Sequence, residues 1–389
     1  MIQVGSMFSQ ALRLIDRNRF SRAVRQHQAE FGAKGFRCWD QFVAMLFCHM
    51  AGANSLREIC GGLAMALGKL AHLGLKGAPA RSTLSYANNH RPWQLFETVF
   101  VDLLVKCQEV AALKGRRFRF KNPLRSLDST TIDLCVDVFD WAKFRRTKGA
   151  VKLHLQLDHQ GCLPCWALVT DGKTPDLKAT QGLSFAPGTI VAMDRGYVDY
   201  ALFARWTNEG VFFVTRAKDN MAYRIVESRR VPEDGDLLWD HTVVLTGEGS
   251  IKKCPHLLRV VGVWDSEKRR VIQFVTNIFH LAASTVAAIY KDRWRIEIFF
   301  KTLKQNLKVK TFVGTTENAV KTQIWTALIA MLLLKYLQLK SRRKWSLSNL
   351  AALLRLNLLT YRDLWVWLDF PFQTPVEEPP PKQQTLFAM

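Results

Sequence analysis

The sequence is poor in acidic residues. Its 389 residues hold 33 Asp and Glu against 55 Lys and Arg, a formal net charge of +22. An excess that large repels itself in a compact state and favours a polyanionic partner, DNA or RNA first and an anionic membrane surface second. Long apolar runs are also missing. The longest, Ile324 to Leu334, is too short to span a bilayer and runs into Lys335, so it reads as a buried helix. The opening MIQVGSMFSQALRLIDRNRF has neither a continuous signal-peptide core nor a cleavage site, which predicts a cytosolic protein. The eight Cys follow no disulfide-like spacing and read as reduced and mostly buried. Cys162-x2-Cys165 has no second pair at finger spacing; Cys254 and His256 complete a zinc site only on paper, and two residues flanking a strand is the simpler reading. No internal repeat is visible.

What is present is a folded chain. Hydrophobic residues make up 48% of it, enough for a sizeable core and for two or three domains. Residues 1 to about 120 carry apolar positions at helical spacing in FSQALRLI, WDQFVAMLFCHMAG and WQLFETVFVDLLVKCQEVAAL. This segment alone has 17 Lys or Arg and 7 Asp or Glu. Within it, Pro79 to Arg91 predicts a short helix capped by Ser82 or Thr83. Its Arg81, Ser82, Asn88, Asn89 and Arg91 suit a helix that enters a DNA groove, or a polar connection between core helices.

After a basic-aromatic linker, GRRFRF, the period changes. Arg125 to Leu134, Val151 to Asp158 and Cys162 to Gly172 read as three strands of an antiparallel meander. A buried strand, Ile190 to Met193, then ends in Asp194, and a helix and the strand VFFVTRA follow. Three strands, then strand–helix–strand, is the order of a ribonuclease-H-like fold, a mixed sheet with helices on its faces. From Arg216 to about Arg270, AYRIVES, DHTVVL, LLRVVGVW and RVIQFVTN read as four further strands with no helix among them. Trp239 and Trp264 read as core residues there, stacking on an unpaired base being the other reading. Beyond, TENAVKTQIWTALIAMLLLKYLQL reads as a buried helix, residues 346 to 370 as one or two short helices, and the tail from Thr374 as disordered.

Tyr290 to Lys310, YKDRWRIEIFFKTLKQNLKVK, reads as one helix with two stripes. Tyr290, Arg293, Glu297, Lys301, Lys304 and Lys308 fall within an arc of roughly 80°. Ile289, Ile296, Phe300, Leu303 and Leu307 fall on an adjacent arc of roughly 60°. The apolar stripe packs on a core; the other stays accessible, with a single carboxylate among basic and polar groups. A solvated face laced with pairs such as Glu297–Lys301 explains part of this. The spacing Tyr290-x2-Arg293-x3-Glu297-x6-Lys304, however, resembles the signature of transposases of bacterial insertion-sequence family four. WDQF at 39–42, SLREI at 55–59, RSTL at 81–84 and DRGY at 194–197 are similar to that family too.

The resemblance implies a D-D-E triad of Asp128, Asp194 and Glu297 that is both catalytic and metal-binding, holding two Mg²⁺ or Mn²⁺ ions per site. It implies phosphate contacts from Tyr290, Arg293 and Lys304. Lys301 is added from the helical wheel, and Arg195 and Arg81 as further DNA-binding candidates. His154 is placed to reach a scissile phosphate, or to pack within its strand. The implied domains are a helical DNA-binding domain (1–120), a catalytic domain (121–315) with a β insertion at about 217–271, and a C-terminal helical region and tail (316–389). The implied activity is cleavage at the terminal inverted repeats of an element and strand transfer into target DNA, in cut-and-paste fashion. The implied partners are double-stranded DNA, at element ends and target, and a second copy in a synaptic homodimer. No membrane partner is expected, and the location is the bacterial cytoplasm with the nucleoid. A nuclease that cleaves without joining, or a DNA-binding repressor without catalysis, is the competing expectation.

Overall fold

A computed structural model of the protein describes residues 5–66, 68–134, 139–145, 148–306 and 312–373. Leu307, Lys308 and the tail from Thr374 lie outside the described residues. Ten strands form one sheet: β1 Leu124–Leu134, β2 Lys143–Arg145, β3 Lys148–Asp158, β4 Leu163–Asp171, β5 Ile190–Met193, β6 Phe212–Arg216, β7 Tyr223–Arg229, β8 Leu237–Leu245, β9 Leu258–Asp265 and β10 Arg270–Thr276.

β3 runs antiparallel to β1 on one side and to β4 on the other. β5 lies parallel to β1, and β6 parallel to β5. This is the ribonuclease-H-like arrangement expected from the sequence, and an N-terminal helical region precedes it. The continuation differs from a free-standing insertion. β10 pairs with β6, and β9, β8 and β7 follow in turn, so these strands extend the same sheet. A short helix, Glu248–Lys253, joins β8 to β9 where none was expected; its first turn holds Glu248 and its last Lys252 and Lys253, charges that suit the helix dipole.

The helical region is built around two helices apolar on nearly every side. Cys38–Ala51 exposes almost nothing, and Glu317–Lys340 lies against it and against Gln94–Ala112. A helix apolar all round belongs in a core. By length and composition Glu317–Lys340 could cross a bilayer, but 83% of its most apolar window is buried in protein. Among its polar groups, Thr326 Oγ1 lies 3.0 Å from His49 Nε2. The predicted 79–91 helix is Arg81–His90, yet its N-cap is Ala80, without a side-chain cap. Asn88 and Arg91 turn inward, to Gln41. That leaves Arg81 and Ser82 exposed and removes Asn88 from any groove-reading face.

In the sheet extension, Trp239 lies flat on its register partner Gly262. A Cβ at 262 would come within 2.2 Å of the indole, so the glycine is required for the ring to sit there. Trp264, by contrast, is 40% exposed and is not a core residue. Gly262→Ala is expected to lower unfolding stability by about 1–3 kcal/mol, the usual cost of overpacking. In urea melts the double variant with Trp239→Ala should lose less than the sum of the two single changes; full additivity would mean the contact is not the cause.

Candidate active site

The parallel register of β1 and β5 matches Leu127 to Met193. One residue further on, each strand carries a carboxylate, Asp128 and Asp194. There the strands part: β5 ends, while β1 continues along β3 to Leu134. Strand divergence at carboxyl ends opens a crevice in open α/β sheets, and both aspartates stand at its base. Asp128 Oδ1 accepts the Ser129 N–H at 2.8 Å. Asp194 caps the short turn Arg195–Tyr197 through the Gly196 N–H at 3.4 Å.

Glu297 arrives from the helical side. The Tyr290–Lys310 stretch is not one helix: Ala283–Asp292 ends, Arg293 is a turn residue, and Trp294–Asn306 begins. The apolar stripe behaves as expected, with Ile289, Ile296, Phe300 and Leu303 buried. The polar stripe does not. Arg293 is itself buried, and its guanidinium forks between two carboxylates: Nη1 donates to Asp128 Oδ2 at 2.9 Å and Nη2 to Glu297 Oε1 at 2.7 Å. The break at 293 aims that fork at β1.

Burial pushes the Asp128 carboxyl up to about 6, and the neighbouring Asp194 and Glu297 add to this; Arg293 and the Ser129 N–H oppose it. Even with the guanidinium in place, negative charge is in excess here. Among the described residues no three His, Cys, Asp or Glu side chains stand close enough to chelate one ion, and Arg293 sits between two of the carboxylates. The donor set is nonetheless all carboxylate oxygen, the chemistry a hard divalent cation takes.

The other expected residues divide. Tyr290 is half-buried, its ring 4.7 Å from Phe274 and 5.4 Å from the Arg293 guanidinium carbon. Lys304 Nζ donates to the Thr131 carbonyl at 2.6 Å, so it lies along β1 beyond Asp128. Lys301 is exposed, and Arg195 reaches Asp219 at 3.3 Å on the surface. Arg81 stands apart on the helical region, in a groove with Arg57. His154 is fully buried, bonded to Thr170 at 3.0 Å. Burial lowers its pKa to about 4, with Asp176 opposing, and the ring packs within the sheet.

Two groups were not foreseen. Asp176 accepts from Ser129 Oγ at 2.6 Å and lies beside Asp194, both facing the bare Cα of Gly196. The buried Tyr197 hydroxyl sits among Asp176, Asp128 and Asp194; desolvation, then these charges, raise its pKa. The second is a chain from Ser126 Oγ to His159 Nε2 (2.6 Å) and from His159 Nδ1 to Asp292 Oδ2 (2.6 Å). Its order imitates a serine-nucleophile triad, but Ser126 is wholly buried and can attack nothing. Sequence spacing gives no signal for either group, since their members come from separate elements.

A carboxyl raised in the folded state binds protons that the unfolded chain releases, so its contribution is full below the unfolded value near 4 and is lost as pH rises through about 6. Asp128→Asn cannot lose that proton. Between pH 4 and pH 7 the stability difference between variant and parent should shift in the variant's favour by about 3 kcal/mol. Urea denaturation at the two pH values measures it; a constant difference would place the Asp128 carboxyl in the ordinary range.

Comparison with known proteins bears on the same segments. Residues 119–333, more than half of the chain, match the family model described as a transposase DDE domain, and residues 4–76 match a domain of unknown function. A probable transposase for insertion sequence element IS5377 of Geobacillus stearothermophilus is 32% identical over 270 residues, covering 69% of this chain and 70% of its own. The putative transposase y4zB of Sinorhizobium fredii is 30% identical over 308 residues, covering 78% and 82%. A putative transposase for insertion sequence element IS4SA of Synechocystis is 26% identical over 263 residues, covering 66% and 71%. The site described above lies inside the matched domain, and the protein belongs to the DDE transposases, a family that acts on DNA and is related to the transposases of bacterial insertion sequences.

Proposed function

We propose that the protein is a transposase of insertion-sequence family four that binds the terminal inverted repeats of its element, cleaves there, and joins the 3′ ends to target DNA in cut-and-paste fashion. The observation that carries this reading is the convergence of Asp128, within β1, Asp194, at the end of the adjacent β5, and Glu297, on a helix. Tyr290, Arg293, Glu297 and Lys304 support the family assignment, because Arg293 joins Glu297 to β1 and the Lys304 ammonium reaches the same strand from the helix.

Mg²⁺ or Mn²⁺, two ions per site, is the cofactor this donor set suits, held by Asp128, Asp194 and Glu297. Bound there, the pair supplies Lewis-acid activation of the attacking hydroxyl and charge relief at the leaving oxygen. The chain's own residues do the rest. Arg293 holds Asp128 and Glu297 together against their repulsion. Its buried Nε has no hydrogen-bond partner among the described residues. Tyr290 and Lys304 flank that point, and the exposed Lys301 and Arg195 suit backbone contacts further out. Arg81 and Arg57 offer a separate basic groove on the helical region for the terminal repeat. An element has two ends, so two copies acting as a homodimer on DNA follow from the reaction.

The test is purified protein with Mg²⁺ and a labelled duplex carrying the element end and its flank. Glu297→Ala is expected to keep DNA binding and lose cleavage and joining by at least a hundredfold; equal cleavage by both proteins would remove Glu297 from the chemistry. Arg293→Ala tests the fork. Without metal, that variant leaves buried carboxylates unpaired and should lose about 3 kcal/mol of stability. Saturating Mg²⁺ should raise its melting temperature more than the parent's. No extra metal-dependent gain would show that Arg293 does not stand where the cation goes.

A further inference from the structure

Beside the carboxylate site lies a second, basic cavity of about 610 Å³. The linker after Gly115, the β3–β4 turn, the helix break at Arg293 and the helix Glu317–Lys340 enclose it. Five cationic side chains line it: Arg116, Arg117, Arg125, Arg295 and Lys335. Its two carboxylates are already committed. Asp158 pairs with Arg125. Asp292 pairs with Arg117 and, at 2.9 Å, with Arg295, and it also accepts from His159. Burial raises the pKa of Asp292, but His159, Arg295 and Arg117 outweigh it and hold the carboxyl below its usual value.

Lys335 is the residue without a counter-charge. It is 8% exposed, and its ammonium donates to the Gln338 side-chain oxygen at 3.1 Å; among the described residues no carboxylate pairs with it. Nearby stand Arg295, also cationic, and the Cys162 thiol, which Arg295 Nη1 contacts at 3.1 Å. Burial, with Arg295 adding to it, lowers the Lys335 pKa, so its charge is held at a cost that an entering anion relieves. The cavity carries net positive charge after its internal pairs are counted, and it has donors on several walls. That is the composition of a phosphate site.

Its place in the fold says which phosphate. Asp292 holds His159, which holds Ser126, and Ser126 stands two residues before Asp128 on the same face of β1. The cavity and the carboxylate site are thus tied to one strand at positions two residues, about 7 Å, apart. Asp292 itself precedes Arg293, whose fork grips the catalytic carboxylates. We infer that this cavity takes a backbone phosphate of the DNA strand next to the scissile position, with Lys335 and Arg295 as its donors and Arg117 at its mouth. The inference rests on the transposase reading above.

The experiment measures binding of a labelled duplex with element end and flank, without divalent metal, across a salt series. Parent protein is compared with Lys335→Met, which keeps the helix apolar and filled, and with Arg117→Gln, whose side chain is 60% exposed and whose loss leaves Asp292 paired with Arg295 and His159. Each lost phosphate contact should reduce the slope of log affinity against log salt by about 1 and weaken binding by about threefold to tenfold. Folded Lys335→Met with the parent's slope would overturn the site. Should Lys335→Met not fold, an unchanged slope in Arg117→Gln overturns it equally. Inorganic phosphate and a deoxynucleoside monophosphate form the second arm. If either raises the parent's melting temperature but not that of Lys335→Met, while DNA slopes stay equal, the cavity takes free phosphate and the DNA assignment fails. Parent protein that binds no duplex at any salt would sink the transposase reading and this inference with it; parent binding with equal slopes sinks this inference alone.

Discussion

Three carboxylates brought within electrostatic reach of one another in a partly dry crevice repel, and the guanidinium of Arg293 is what allows Asp128 and Glu297 to share it. The rest of the site follows from that fork. It stands at the junction of two helices, where two neighbouring residues have opposite uses. Arg293 points to Asp128; Asp292 points away, into the basic cavity, and reaches β1 again through His159 and Ser126. The helix junction is thus tied to one strand at two points, 126 and 128. A single residue step separates the group that neutralises acid from the group that gathers cations.

The sheet supplies the other half of the geometry. Parallel pairing of β1 with β5 brings Asp128 and Asp194 level, and the early end of β5 opens the space before them. A one-residue slip of either strand would turn its aspartate to the opposite face. The Leu127 and Met193 side chains, both fully buried, fix that register from the core side. The two aspartates therefore depend on the apolar residues that immediately precede them.

Much of this was legible in the sequence. β5 was read at its observed bounds because a short apolar run ending in a charge has few other homes. The apolar stripe from Ile289 to Leu303 was correct for the same reason: burial follows period. The accessibility of Arg293 was misread because the helical wheel assumes one continuous helix, and a partner from a distant strand is invisible to periodicity. The four strands after Arg216 were seen, but not that they prolong the main sheet, since strand pairing is non-local. Asp176 and the 126–159–292 chain escaped altogether. Their residues are ordinary in sequence and acquire a role only where separate elements meet.

The helix Glu317–Lys340 carries a consequence for how the protein comes into being. It fills the centre of a bundle whose other central helix, Cys38–Ala51, is made roughly 290 residues earlier. At ribosomal rates of about 5–20 residues per second, that first helix waits on the order of 15–60 s with its apolar surface uncovered. The helical region cannot close until the chain has passed through the whole catalytic sheet and come back. Assembly of the helical region is thereby timed after synthesis of the Glu297 helix, and a nascent chain halted before residue 317 lacks the helix that covers this apolar surface.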